Sequence, residues 1–194
     1  MNTSKRVSFD INPQPFLDIV VSEEAKIEYD VSCFGPYTDH EQTVHSITSD
    51  HYVWENTKYW LHQLSDREKW ADLIDYVSDC LEIEVKRLIL IEQPPGSIQP
   101  IHRDHFEQHI RKMYPHEVRK PLKANIQLQD WTPGWQFGIA PTERNIDKDW
   151  SIDTHWKVGD GWYFTHETYH MSCNASNKTK ISLGASGVPK RDLL

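Results

Sequence analysis

Two side chains in the stretch Gly96-Ser97-Ile98-Gln99-Pro100-Ile101-His102-Arg103-Asp104 have the types and spacing of metal ligands. His102 and Asp104 are two positions apart, so on a β-strand an imidazole and a carboxylate project from one side and aim at one point. A bare His-x-Asp also occurs on ordinary solvated strands, so a third donor must be sought. His155, His166 and His170 fall in the right part of the chain. His170 opens a run to Ser186 that reads as two antiparallel strands around a turn at Asn174 to Lys178. Laid beside the first strand, His170 completes two imidazoles and one carboxylate, the facial donor set of a non-haem iron site with coordination positions left open.

A second constellation follows. Lys180 stands ten positions after His170, and Ser182 is the next residue on the same face. An ammonium and a hydroxyl side by side form a clamp for a carboxylate, by charge and by hydrogen bond. In a barrel otherwise lined with apolar residues, such a cation would be costly without an anionic partner. On an edge strand, the same lysine would simply point outward. Asn125 and Gln127 share the polar face of another strand and are candidate hydrogen-bond donors to the same ligand, or else solvated amides.

The elements that must position these groups are short. Phe16-Leu17-Asp18-Ile19-Val20-Val21 and Ile27-Glu28-Tyr29 are predicted strands, Phe34 to Ser46 a loop, and Tyr52 to Leu64 a segment with helical spacing. Ser65-Asp66-Arg67-Glu68 has the form of a capping box ahead of a helix that presents Trp70, Leu73, Ile74, Val77 and Leu81 on one face. Val85 to Ile91 is a β-branched strand stopped by Pro94-Pro95-Gly96, and the strand bearing His102 and Asp104 comes next. His105 to His116 reads as a loop or short helix at the mouth of the site, where Arg103, His105 and Arg111 face solvent or an anion. Further strands are Lys123 to Gln129, with Ala124, Ile126 and Leu128 as its apolar side, Trp135 to Ile139, Trp162 to Phe164 after a Gly159-Asp160-Gly161 hairpin turn, and Ile181 to Gly184. Trp131, Trp135 and Trp162 read as core or rim aromatics. The spacing predicts one mainly β domain, a small barrel or jelly roll, with residues 1–84 as a helical and strand support region and 85–188 as its core.

Composition narrows the function. At 194 residues the chain is long enough to bury a core without staples, and 11% aromatic residues argue against disorder. A net charge of -8 speaks against nucleic acid or an anionic membrane as main partner and for a small molecule or a peptide or protein side chain. Cys33, Cys80 and Cys173 are scattered and odd in number, which predicts reduced thiols in a cytoplasmic protein. Residues 1–10 lack the apolar core of a signal peptide, and no run of eighteen apolar residues exists.

The order His102-x-Asp104, His170, Lys180-x-Ser182 resembles the Fe(II)/2-oxoglutarate-dependent oxygenases, whose basic residue about ten positions after the distal histidine binds the far carboxylate of 2-oxoglutarate. Leu128 to Gly134, Trp156 to Asp160 and His170 to Asn174 resemble small members found in marine bacteria and phages; the likeness spans about Glu92 to Ser186. Lysine replaces the commoner arginine at position 180, a point charge in place of a fork. The resemblance implies a double-stranded β-helix, a cupin-like jelly roll, with Fe(II) on His102, Asp104 and His170. It also implies 2-oxoglutarate with its far carboxylate on Lys180 and Ser182. Hydroxylation of an unactivated C–H bond would follow, with release of succinate and CO2. The carboxylate ligand Asp104 distinguishes it from related halogenases, which carry a small residue at that place. A non-catalytic cupin that binds a metal or small ligand is the alternative, and a cupin dioxygenase needing no co-substrate is disfavoured by Lys180 and Ser182.

Overall fold

The computed structural model describes residues 3–22, 26–27, 58–62, 68–104, 106–140 and 150–194, with backbone only at 26–27, 58–62, 100, 109 and 113. Eleven strands and three helices lie among the described residues. They are β1 (Ser4–Ser8), α1 (Gln14–Ser22), β2 (Lys26–Ile27), β3 (Lys58–His62), α2 (Ala71–Cys80), β4 (Ile83–Gln93), β5 (Ile98–His102), α3 (Phe106–Met113), β6 (Leu122–Gln127), β7 (Trp135–Ala140), β8 (Ser151–Asp153), β9 (Asp160–Phe164), β10 (Tyr169–Asn174) and β11 (Lys180–Pro189).

From β4 onward the chain crosses repeatedly between two antiparallel sheets. One has the order β1-β9-β6-β11-β4-β3-β2, the other β5-β10-β7-β8. Their inner faces meet: Gln93 of the large sheet bonds Ser172 of the small one, and Phe164 lies 4.8 Å from the His170 ring. This is the double-stranded β-helix that the resemblance implies, and a form of the jelly roll that the strand count predicts.

Alternation along the strands sorts the two cores. Leu122, Ala124 and Ile126 of β6 and Ile181, Leu183 and Ala185 of β11 face outward. There they pack with Phe16 of α1, Ile74 and Val77 of α2, and Leu81. Each large apolar side chain buried there contributes on the order of 2 kcal/mol. The opposite faces turn into the barrel, where Trp135, Phe137 and Ile139 of the small sheet, Phe164 of the large one and Trp156 form a second apolar cluster. The interior is not apolar throughout, contrary to expectation: the large sheet lines it with buried Gln93, Lys123, Asn125, Gln127, Lys180, Ser182 and Ser186.

Several elements differ from their sequence reading. Phe16 to Val21 is helix α1 rather than a strand, with Asn12 Oδ1 accepting the Gln14 N–H at its start and Phe16 buried against the sheet. Residues 58–62 are strand β3, hydrogen-bonded to β4, rather than helix. The helix expected after a capping box begins only at Ala71, without a side-chain cap, because residues 68–70 form a turn; Ser65 to Arg67 lie outside the described residues. The loop predicted at 34–46, most of the predicted strand at 27–29 and Cys33 also lie outside them. Residues 106–113 are a helix, whose Phe106 and Ile110 pack on Val188. β10 and β11 are not a hairpin: β10 pairs with β5 and β7, β11 with β4 and β6, so the turn between them carries the chain from one sheet to the other. Asn174 ties that turn down. Its Nδ2 donates to the carbonyls of Gln93 at 2.7 Å and Lys178 at 2.8 Å, and its Oδ1 accepts from the N–H and Oγ of Ser176.

Gly159 fixes the turn into β9. Its φ of +89° is open to glycine, and a Cβ there would stand 2.2 Å from the Phe9 carbonyl oxygen. The Gly159 carbonyl in turn accepts the Phe9 N–H at 2.8 Å. Gly159→Ala is expected to lower the unfolding free energy by about 1–3 kcal/mol in a urea titration with unchanged m-value. A loss below about 0.5 kcal/mol, the scale of an ordinary surface change, would contradict the close approach.

Candidate metal and anion site

His102 ends β5 and His170 lies directly across from it on β10, so the antiparallel ladder brings the two imidazoles together, ring centroids 4.2 Å apart. Asp104 lies two residues past the end of β5, ahead of α3. It is not on the strand, yet its carboxylate reaches both imidazoles. Oδ1 is 3.6 Å from His102 Nε2, and Oδ2 is 3.5 Å from His170 Nε2. One ligand atom from each of the three lies within 4.8 Å of the others, so a single ion can touch all three.

Protonation favours the same use. Burial pushes the Asp104 carboxyl up, but the Lys123 ammonium and the two imidazoles outweigh it and hold the group well below the usual carboxylate range. Burial, then the neighbouring His102, pushes His170 down to about 3, against the opposing pull of Asp104. Its Nδ1 faces the Thr168 carbonyl at 3.4 Å; a carbonyl only accepts, so the proton sits on Nδ1 and the Nε2 lone pair faces Asp104. An ionised carboxylate and a neutral imidazole are the forms in which these groups ligate metals. Two nitrogens and one oxygen suit Fe(II).

Further along the same interior lies Lys180, 1% exposed. Its Nζ donates to the Gln136 carbonyl at 2.8 Å and to Ser172 Oγ at 2.6 Å, and sits 5.2 Å from the centre of the Trp156 ring. Burial pushes it down to about 7. Ser172 Oγ in turn donates to Gln93 Oε1 at 2.6 Å. The hydroxyl bonded to the ammonium is therefore that of Ser172; Ser182 is on the same inner face, in register with Gln127 and Ile91. Asn125 and Gln127 are buried inside the barrel rather than solvated, with Gln127 Nε2 donating to Asn125 Oδ1 at 3.2 Å.

The remaining sequence candidates are not members of the triad. His166 pairs with Glu107 of α3, and His155 stacks on Trp131 with ring centroids 4.0 Å apart. Arg111 pairs with Glu107 at 2.6 Å, Arg103 lies 5.0 Å from the Tyr169 ring centre, and His105 is outside the described residues. Trp135 is buried in the inner cluster, with Trp131 and Trp162 partly buried against it. Sequence reasoning missed Lys123, Ser172 and Gln93. Alternation from Asn125 and from His170 carried the signal for the first two.

The fold is that of the Fe(II)/2-oxoglutarate-dependent oxygenases. It is shared with the non-heme alpha-ketoglutarate-dependent carbocyclase SnoK from nogalamycin biosynthesis, at TM-score 0.61 and 13% identity over 97% of this chain and 80% of that one. A prolyl hydroxylase from Trichoplax adhaerens, solved with a hypoxia-inducible factor peptide fragment, matches at TM-score 0.59 and 10% identity over 98% and 85%. HygX from Streptomyces hygroscopicus, solved with nickel and 2-oxoglutarate bound, matches at TM-score 0.56 and 12% identity over 97% and 83%. No family model and no curated protein sequence matches the chain.

Proposed function

We propose that this protein is an Fe(II)- and 2-oxoglutarate-dependent oxygenase, and that its reaction is hydroxylation of an unactivated C–H bond. The observation that carries the proposal is one barrel interior holding both a His102–Asp104–His170 cluster and a buried lysine whose hydrogen bonds, among the described residues, go to a carbonyl and a hydroxyl. Iron with 2-oxoglutarate supplies the oxidising chemistry, with succinate and CO2 as co-products. His102, Asp104 and His170 hold the metal. Lys180 binds the far carboxylate, oriented by Ser172, with Ser182, Asn125 and Gln127 along the path between. A buried ammonium without a counter-charge is costly, and a carboxylate arriving there removes the cost. Phe137, Phe164 and Trp156 exclude water around the site. The free thiols Cys80 and Cys173 support a reducing, cytoplasmic setting.

The test is succinate formation from 2-oxoglutarate by the Fe(II)-loaded protein, with a panel of amino acids, short peptides and small acids as substrates. Iron-dependent turnover stimulated by a panel member, with its mass raised by one oxygen, is the expected result. Stoichiometric metal binding without any 2-oxoglutarate consumption would instead identify a non-catalytic cupin.

A further inference from the structure

Resting on that reading of the metal site, a second buried cation bears on the substrate. Lys123 opens the inner face of β6, is 8% exposed, and its Nζ is paired with Asp104 Oδ2, 5.8 Å from the centre of the Phe164 ring. A divalent ion held by Asp104 and the two imidazoles places two positive charges beside this ammonium and draws on the carboxylate that now balances it. In a low-dielectric interior, such a cation calls for a different anion. Both carboxylates of the co-substrate have partners of their own in that reading. Its near end goes to the metal and its far end to Lys180, which lies six residues along β11 from Ser186, the register partner of Lys123. The two lysines thus start from backbone positions about 20 Å apart along the strand.

The surroundings of Lys123 form a place for such an anion. Arg87, Ser186 and Lys123 occupy one register row across β4, β11 and β6, with Phe164 of β9 next in line. Ser186 is buried on the inner face. The stem of Lys123 crosses Gly184, where a Cβ would stand 3.2 Å from Lys123 Cε. Glycine there leaves room for the long side chain to cross the strand on its way to Asp104.

We propose that Lys123, with Ser186 beside it, seats a carboxylate of the substrate, so that the molecule oxidised at this site is a small carboxylic acid. One ammonium and one hydroxyl match a monoanion. Protein loaded with Co(II) and N-oxalylglycine, the amide isostere of 2-oxoglutarate, is titrated with acetate while the visible absorption of Co(II) is followed. A saturable change with acetate and none with acetamide is expected. Lys123→Met should retain Co(II), which also reports its folding, and raise the half-saturating acetate concentration about tenfold or more; Lys123→Arg should stay within a few-fold of the parent. The proposal is overturned if acetamide acts as well as acetate, if no saturable response occurs, if Lys123→Met responds like the parent, or if that variant loses affinity for N-oxalylglycine instead. Failure of the unaltered protein to bind Co(II) at all would overturn the metal site itself, a separate and recognisable outcome.

Discussion

His170→Ala is expected to abolish stoichiometric Fe(II) or Co(II) binding and all coupled turnover, while His166→Ala and His155→Ala leave metal content at the level of the parent. The three histidines are equivalent by chain position, and geometry separates them. His170 reaches Asp104 at 3.5 Å and faces His102 across a strand pair, whereas His166 is spoken for by Glu107 and His155 by Trp131. Losing one of three protein ligands should weaken metal binding by more than the 10- to 100-fold that changes in supporting groups typically cost. Some stability should go as well, about 1–3 kcal/mol, because the ring packs between Phe164 and Phe137 in the closed interior. Elemental analysis after dialysis reads the first effect and urea titration the second. Full metal retention in His170→Ala would remove the basis for an oxidative reaction here.

Lys180→Met should cost about 100-fold in 2-oxoglutarate affinity with little change in metal content, as expected for deleting a buried charge-assisted contact. The pH behaviour of Lys180 is more distinctive. Burial lowers its pKa from the ordinary 10.5 to about 7, so between these values the unfolded chain holds a proton that the folded one lacks. Stability of the ligand-free protein therefore falls as pH drops from about 10.5 to 7, by up to about 1.4 kcal/mol per unit, and Lys180→Met removes that slope. Co-substrate binding runs the other way. It needs the ammonium form, so affinity weakens by up to about tenfold per unit as pH rises above 7. Isothermal titration and denaturant curves across pH 6.5 to 9.5 would show the two trends crossing. Parallel trends, or identical slopes in parent and variant, would mean that the ammonium does not hold the carboxylate.

The sequence made the centre of this fold readable and its margins less so. The β-branched run Val85 to Ile91 and the alternation from residue 123 to 127 each carry a local rule that the tertiary structure obeys. Phe16 to Val21 obeys a rule that loses. Its β-branched residues favour a strand, but Asn12 at the start, Pro15 in the first turn and burial of Phe16 against the large sheet select a helix. Lys123 was passed over because a lysine at the end of a polar strand face ordinarily meets water. Only closure of the second sheet over that face encloses it. The same closure decides between Ser172 and Ser182 as partner of Lys180, since Ser172 reaches it from the opposite wall.

The tied turn after β10 has a consequence for which molecules fit. His170 and Lys180 stand on facing walls, and the short bridge between them is pinned at Asn174 to the end of β4. The backbone positions that carry the triad histidine and the ammonium are thus held at one spacing, like the jaws of a caliper. Adding a single residue to that bridge would move every later side chain of β11 to the other surface of the sheet, sending Lys180 outward and Ile181 inward. Dicarboxylates one carbon shorter or longer than the caliper would meet the same two anchors at the wrong spacing.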